Sequence, residues 1–123
     1  MVKGKIVSVV DDDVSVRESL PDLLRSYGLE VEAYSSAREF LDAGGAHRSD
    51  CLVLDVIMPG LSGPDLQLEL ARRGNDIPIV FITSHTDVSI EARVMKLGAV
   101  AYLFKPFSET AIMKAVNAAL AKP

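Results

Sequence analysis

Residues 51–60 read C-L-V-L-D-V-I-M-P-G. Four consecutive apolar residues without alternation describe a strand buried on both faces, since a half-exposed strand would place a polar side chain at every second position. The run closes on Asp55, and Pro59-Gly60 then ends regular structure. A carboxylate at the end of a buried strand is costly unless partners receive it. One stretch thus points both to a parallel sheet covered on two faces and to the place where chemistry belongs, the carboxyl ends of its strands.

Outward from this stretch, strand-like and helix-like patterns alternate along the chain. Strands are expected over 5–10, 29–34, 51–55, 78–83 and 100–104. The first helix should start near Asp13 and turn Val14, Leu20, Leu23, Leu24 and Tyr27 to the core, with Gly28 as its stop. Pro21 inside it removes a backbone donor and predicts a kink. Ser35 or Ser36 caps a short helix carrying Ala37, Phe40 and Leu41, which ends at Gly44-Gly45. Beyond a loop over 58–63, one helix runs through Leu66 and Leu70 to Gly74, and another over 87–97 is closed by Gly98. The last carries Ile112, Ala115, Val116, Ala119 and Leu120 at helical spacing. Leu61, Ile90 and Val94 read as exposed apolar residues, and Cys51 as a small core hydrophobe. Five strands and five helices in strict alternation predict an α/β fold, a (βα)5 doubly wound open sandwich around a five-stranded parallel sheet.

Composition narrows the function classes. The 123 residues suit one domain over 1–123, without a second such as an output domain. No apolar run is long enough to span a bilayer, and the basic opening Met1–Lys5 leads straight into a strand without a cleavage site, so neither a membrane nor a secretory route is expected. The lone cysteine excludes an internal disulfide and makes the cytoplasm the expected compartment. Net charge is −4 with no Lys/Arg block, so direct nucleic-acid binding by this chain is not expected.

Polar residues gather where the strands stop: Asp11, Asp12 and Asp13 after the first, Asp55 after the third, Thr83-Ser84 after the fourth and Lys105-Pro106 after the fifth. In a parallel sheet these ends share one rim. Clustered carboxylates raise one another's proton affinity and call for positive charge. Mg²⁺, a hard cation content with oxygen ligands and retained water, fits one to three carboxylates, and Mn²⁺ fits similarly. Lys105 adds an ammonium and Thr83 a hydroxyl donor. In outline this is a phosphoryl-transfer site with an Asp nucleophile. Asp13 reads instead as the helix cap.

These segments, V-V-D-D-D (Val9–Asp13), L-D-V-I-M-P-G (Leu54–Gly60), F-I-T-S-H (Phe81–His85) and Y-L-F-K-P-F (Tyr102–Phe107), resemble the receiver domains of two-component response regulators over essentially the whole chain. The stretches T-S-H-T-D-V and K-P-F look like the FixJ-type subgroup. The resemblance implies a flavodoxin-like, CheY-like sandwich and a signalling phosphoacceptor that catalyses only its own phosphorylation and dephosphorylation. It implies Asp55 as phosphoacceptor and also as metal ligand, Asp12 as direct ligand, Asp11 acting mainly through a metal-bound water, and the Ile57 backbone carbonyl as the remaining protein ligand. Thr83 and Lys105 would hold phosphoryl oxygens. A sensor histidine kinase would be the donor, Thr83 and Tyr102 the switch, and a cis bond would precede Pro106. Phosphorylation would control a homodimer through the face over 88–102, or a helix-turn-helix output domain following Pro123. A stand-alone shuttle is the other reading.

One departure stands out. The position two past the phosphoacceptor, often polar in the family, is Ile57, which with His85 is expected to modulate the dephosphorylation rate. A Mg²⁺-dependent phosphatase or phosphotransferase of the haloacid dehalogenase kind is the alternative, but such enzymes carry a second Asp as proton shuttle where this chain has Ile57. A flavodoxin-type phosphate cradle would need hydroxyl- and Gly-rich chemistry where three aspartates stand. A degenerate receiver used for contact alone would not need Asp12, Asp55, Thr83 and Lys105 together.

Overall fold

A computed structural model describes residues 4–122; Met1–Lys3, part of the basic opening, and Pro123 lie outside the described residues. Five strands, β1 (Ile6–Val10), β2 (Glu30–Tyr34), β3 (Cys51–Asp55), β4 (Ile79–Thr83) and β5 (Ala101–Phe104), pair in parallel in the order β2-β1-β3-β4-β5. Reversal of direction after β1 puts a topological switch point between β1 and β3, where doubly wound sheets place their sites. The helices are α1 (Val14–Ser26), α2 (Ala37–Asp42), α3 (Gly45–Arg48), α4 (Gly63–Arg72), α5 (Val88–Lys96) and α6 (Glu109–Leu120).

The unbroken apolar strands cover two cores. Val53, Val9, Val80 and Ile82 face α1 and α6, meeting Leu20, Leu24, Ile112 and Val116. Leu52, Leu54, Val10 and Phe81 face the other helices, meeting Phe40, Leu66, Leu70 and Val94. Alternate residues of β3 thus serve opposite layers, which is why the strand carries no polar residue before Asp55. Cys51 is wholly buried and free, and burial pushes its thiol pKa up to about 12.

Three expectations change. There are six helices among the described residues, not five, because the Gly44-Gly45 stop also begins a single turn. Gly44 (φ 74°) reverses the chain, Gly45 lies so close to the Phe40 ring that a Cβ would collide with it, and the Ser49 amide closes the turn on the Gly45 carbonyl. Val14 is exposed rather than core-facing, since the first position of α1 stands at the rim beyond the sheet. Val94, expected on the surface, is fully buried between α5 and the sheet, while Leu61 and Ile90 are partly buried against the same core. Helix α1 runs through Pro21 as one element, and Ser36 rather than Ser35 caps α2.

Candidate functional site

The carboxyl ends of β1, β3, β4 and β5 converge. Asp11 is wholly buried, Asp55 is 6 % exposed, and Asp12 faces solvent. One carboxylate oxygen from each of these three lies within 4.8 Å of the other two. Asp13 has left the trio: its side chain accepts from the Ser15 amide and hydroxyl and caps α1. Those bonds hold its carboxyl below the ordinary range.

Asp11 is fixed from three sides. Its amide bonds the Tyr34 carbonyl at 3.1 Å, its Oδ1 accepts the Asp13 amide at 2.9 Å, and its carbonyl accepts Arg17 at 2.9 Å. The ammonium of Lys105 stands 2.8 Å from Asp11 Oδ2 and 3.6 Å from Asp55 Oδ1. Asp11 Oδ2 makes no directed hydrogen bond, so the Lys105 contact acts by charge. Burial disfavours the Lys105 cation, but the Asp11 contact and the charges of Asp55, Asp11 and Asp13 outweigh it and hold its pKa above the ordinary value.

Asp55 shows the electrostatic problem of the pocket. Burial first, and then the Asp11 charge and contact, push its carboxyl up to about 7, against the lowering pull of Lys105. One ammonium does not balance three carboxylates. A wholly buried carboxylate oxygen met only by the Lys105 ammonium, beside an acid pushed toward neutrality and an exposed third carboxylate, is a donor set a hard divalent cation fits.

Thr83, fully buried, accepts the His85 amide on Oγ1 at 3.0 Å, and its carbonyl accepts the Lys105 amide at 2.7 Å. The Lys105–Pro106 bond is cis. Tyr102 lies on β5, 9 % exposed, its ring tilted to Phe81 and edge-on to Phe104, with its hydroxyl buried and unpartnered. Burial raises the pKa of that hydroxyl. The side chains of Ile57 and His85 face solvent.

Two supporting residues escaped sequence reading. Arg17 holds the Asp11 carbonyl across six positions, a spacing with no pattern of its own. Gly63, first residue of α4, packs so tightly under the Asp55 backbone that a Cβ would sit far inside contact distance of the Asp55 carbonyl oxygen, and its amide bonds the Val56 carbonyl at 2.9 Å. A glycine opening a helix just after the acidic strand end was the available signal for this close approach.

A 2-1-3-4-5 parallel sheet with three carboxylates, a Thr and a Lys on its switch-point rim is the arrangement of receiver domains, and this chain belongs to the response regulator receiver domain family, whose match covers residues 7–117. It is 54 % identical over 114 residues to nodulation protein W of Bradyrhizobium diazoefficiens, covering 93 % of this chain and 50 % of that protein. It is 48 % identical over 116 residues to the transcriptional regulatory protein FixJ of Azorhizobium caulinodans, covering 94 % of this chain and 55 % of that protein. The crystal structure of FixJ-N superposes with a TM-score of 0.89 at 36 % identity, covering 99 % of this chain and 98 % of that one. The FixJ-type receiver and its CheY-like fold are thereby established. The chain spans about half the length of the curated relatives it matches. No helix among the described residues is long and apolar enough to cross a membrane.

Proposed function

We propose that Asp55 takes a phosphoryl group from the phosphohistidine of a sensor kinase, and that Asp11, Asp12, Asp55 and the Ile57 carbonyl hold Mg²⁺, or Mn²⁺ in its place, during the transfer. The observation that carries this reading is the unbalanced carboxylate trio with Lys105 inside it, 3.6 Å from the Asp55 oxygen. When bound, the cation neutralises oxygens of the incoming group and lets an anion approach three carboxylates.

An oxygen of Asp55 attacks phosphorus, the P–N bond to histidine breaks as the P–O bond forms, and the imidazole departs with the bonding pair. Asp55 must be ionised to attack, and Lys105 keeps its charge to hold a phosphoryl oxygen. Thr83 supplies a hydroxyl to a second oxygen once it turns from the His85 amide. Movement of Thr83 is then coupled to Tyr102 and to the α5–β5 face, which carries exposed Val88, Met95, Leu97 and Phe104. Exposed apolar side chains on these elements fit a phosphorylation-dependent homodimer. In the whole protein the same change would act on an output domain like those of transcriptional relatives. The cytoplasm, where sensor kinases present phosphohistidine, is the proposed compartment, and the chain is a signalling phosphoacceptor rather than an enzyme acting on external substrates.

Beryllofluoride, a phosphoryl mimic, tests this without a kinase. With Mg²⁺ it should raise the melting temperature of the wild type and convert it to a heavier species in sedimentation, while Asp55→Asn should show neither effect. An equal response from Asp55→Asn would contradict the assignment, and a wild type that is stabilised but stays monomeric would contradict the dimer alone.

A further inference from the structure

Outside the rim, two polar side chains are buried among the described residues: Ser8, whose hydroxyl pairs with that of Ser49, and Gln67, which is left with an unpaired oxygen. Gln67 on α4 is 6 % exposed, and its Nε2 donates to the backbone carbonyl of Val94 on α5 at 3.0 Å. A carbonyl can only accept, so the amide must present its NH₂ group there, and Oε1 is left buried with no partner. An unpaired amide oxygen in an apolar layer is unfavourable, and Leu or Met would fill the site without it. The Gln is therefore explained by the bond it makes, not by packing.

The accepting carbonyl is a telling one. Val94 is the one buried side chain of α5, and its carbonyl also accepts the Ala99 amide that closes the helix end at 3.1 Å. Anchor, cap and Gln67 bond thus meet at one residue. Beside them a cavity of about 440 Å³ opens between α4 and the end of α5, lined by Gln67, Leu70, Ile77, Leu97 and Ala99 among others. The end of α5 therefore has space beside it. At its other end, α4 begins at Gly63, pressed against the Asp55 carbonyl with no room for a Cβ. Gly63 and Gln67 are one helical turn apart on a rigid rod.

We propose that Gln67 is a positioning residue that holds α5 in its unphosphorylated place, and that α4 carries displacement of the Asp55 backbone to this latch. Phosphorylation at Asp55 shifts Gly63 with it, the Gln67–Val94 bond lengthens, and α5 moves toward the adjoining space. By linkage, what frees α5 must also favour the phosphorylated state, and because the donor labels the conformation with α5 released, labelling speeds up with the population of that conformation. This rests on the phosphoacceptor reading above and adds a second route to α5, independent of Thr83 and Tyr102.

Two variants grade the latch. Gln67→Met keeps the volume, removes the bond and removes the orphaned oxygen. Gln67→Glu, read at a pH high enough to ionise a buried acid, sets a carboxylate oxygen against the Val94 carbonyl and should free α5 further. Hydrogen exchange of the metal-free domain should speed up at the amides of residues 92–99 by about two- to tenfold in Gln67→Met, the range one neutral buried hydrogen bond is worth, with β1 and β3 amides unchanged. Intact-mass kinetics with acetyl phosphate and Mg²⁺ should show Asp55 labelled faster by a similar factor, with Gln67→Glu faster still. Labelled wild type whose exchange and labelling rate are matched by both variants overturns the latch and leaves the phosphoacceptor standing. Wild type that takes no label overturns the phosphoacceptor, while the exchange comparison still decides whether Gln67 holds α5. Faster exchange spread over the whole sheet means plain destabilisation and also overturns the latch.

Discussion

Helices α5 and α6 flank β5 from opposite faces of the sheet and are held very differently. Helix α6 buries Ile112, Met113, Ala115, Val116, Ala119 and Leu120, whereas α5 buries Val94 alone and leaves Val88 78 % exposed. Both are capped by an acidic or hydroxyl residue, Asp87 on α5 and Ser108 on α6, so the contrast lies in packing rather than in helix propensity. Apolar burial supplies most of the favourable folding energy, so α6 belongs to the cooperative core and α5 to the part that opens locally. The rim chemistry thus sits between a fixed element and a loosely held one, and a small change at Asp55 can be read out on α5 without unfolding the domain.

Truncation of the fixed side should give the largest effect. Ile112→Ala should lower global stability by about 2–5 kcal/mol in chemical denaturation, because it empties a fully buried site. Val88→Ala on the loose side should change it by less than about 0.5 kcal/mol. Equal losses would erase the contrast between the two helices.

The rim can be probed through its metal. Asp12→Ala should remove most of the Mg²⁺-induced rise in melting temperature, since a bound cation stabilises only the state that binds it. Without metal the same variant should melt higher than wild type, because a repelling charge has gone. An undiminished Mg²⁺ shift would contradict the role given to Asp12.

Protonation sharpens the same point. The Asp55 carboxyl is raised from 3.8 to about 7, so between those values the folded protein binds more protons than the unfolded chain. Stability of the metal-free protein should therefore fall as pH rises from about 4 through about 7. Asp55→Asn should flatten that slope in pH-dependent denaturation, and saturating Mg²⁺ should do the same. A slope that persists in the variant would place its origin elsewhere.

The smallest effect concerns the lifetime of the phosphoryl group. Ile57 is 46 % exposed at the rim and offers no hydrogen bond to a water. Ile57→Asn should speed loss of the phosphoryl group after donor removal, by less than about tenfold (about 1.4 kcal/mol of barrier), with Mg²⁺ affinity unchanged because the carbonyl at 57 remains. An equal or slower variant would show that Ile57 is not the gate.

The strand runs, glycine stops and strand-end acids were legible because each is local: apolar continuity marks a two-faced strand, and its last residue marks the rim. Burial of Val94 was not, since Val88, Ile90, Val94 and Met95 are all apolar and residue type does not tell which of them faces inward. The turn of α3 hid behind Gly44-Gly45 because a glycine stop and a glycine start look alike. At the site, Asp11, Asp55, Thr83 and Lys105 were legible as strand ends. The separation of Asp13 from the trio follows from its capping geometry, which its residue type allowed. Arg17 and Gln67 act across space on backbone atoms, and no spacing rule encodes such contacts, whereas Gly63 carried a local signal as a glycine just after the acidic strand end.

The central claim is that Asp55 accepts the phosphoryl group, and one measurement tests it most directly. The domain is incubated with acetyl phosphate, with Mg²⁺ or with EDTA, then followed by intact mass and peptide mapping. One phosphoryl group per chain, located on the peptide containing Asp55, formed only with Mg²⁺ and missing from Asp55→Asn, is the result expected. Full labelling of Asp55→Asn, or a label mapped to another residue of the wild type, would contradict it.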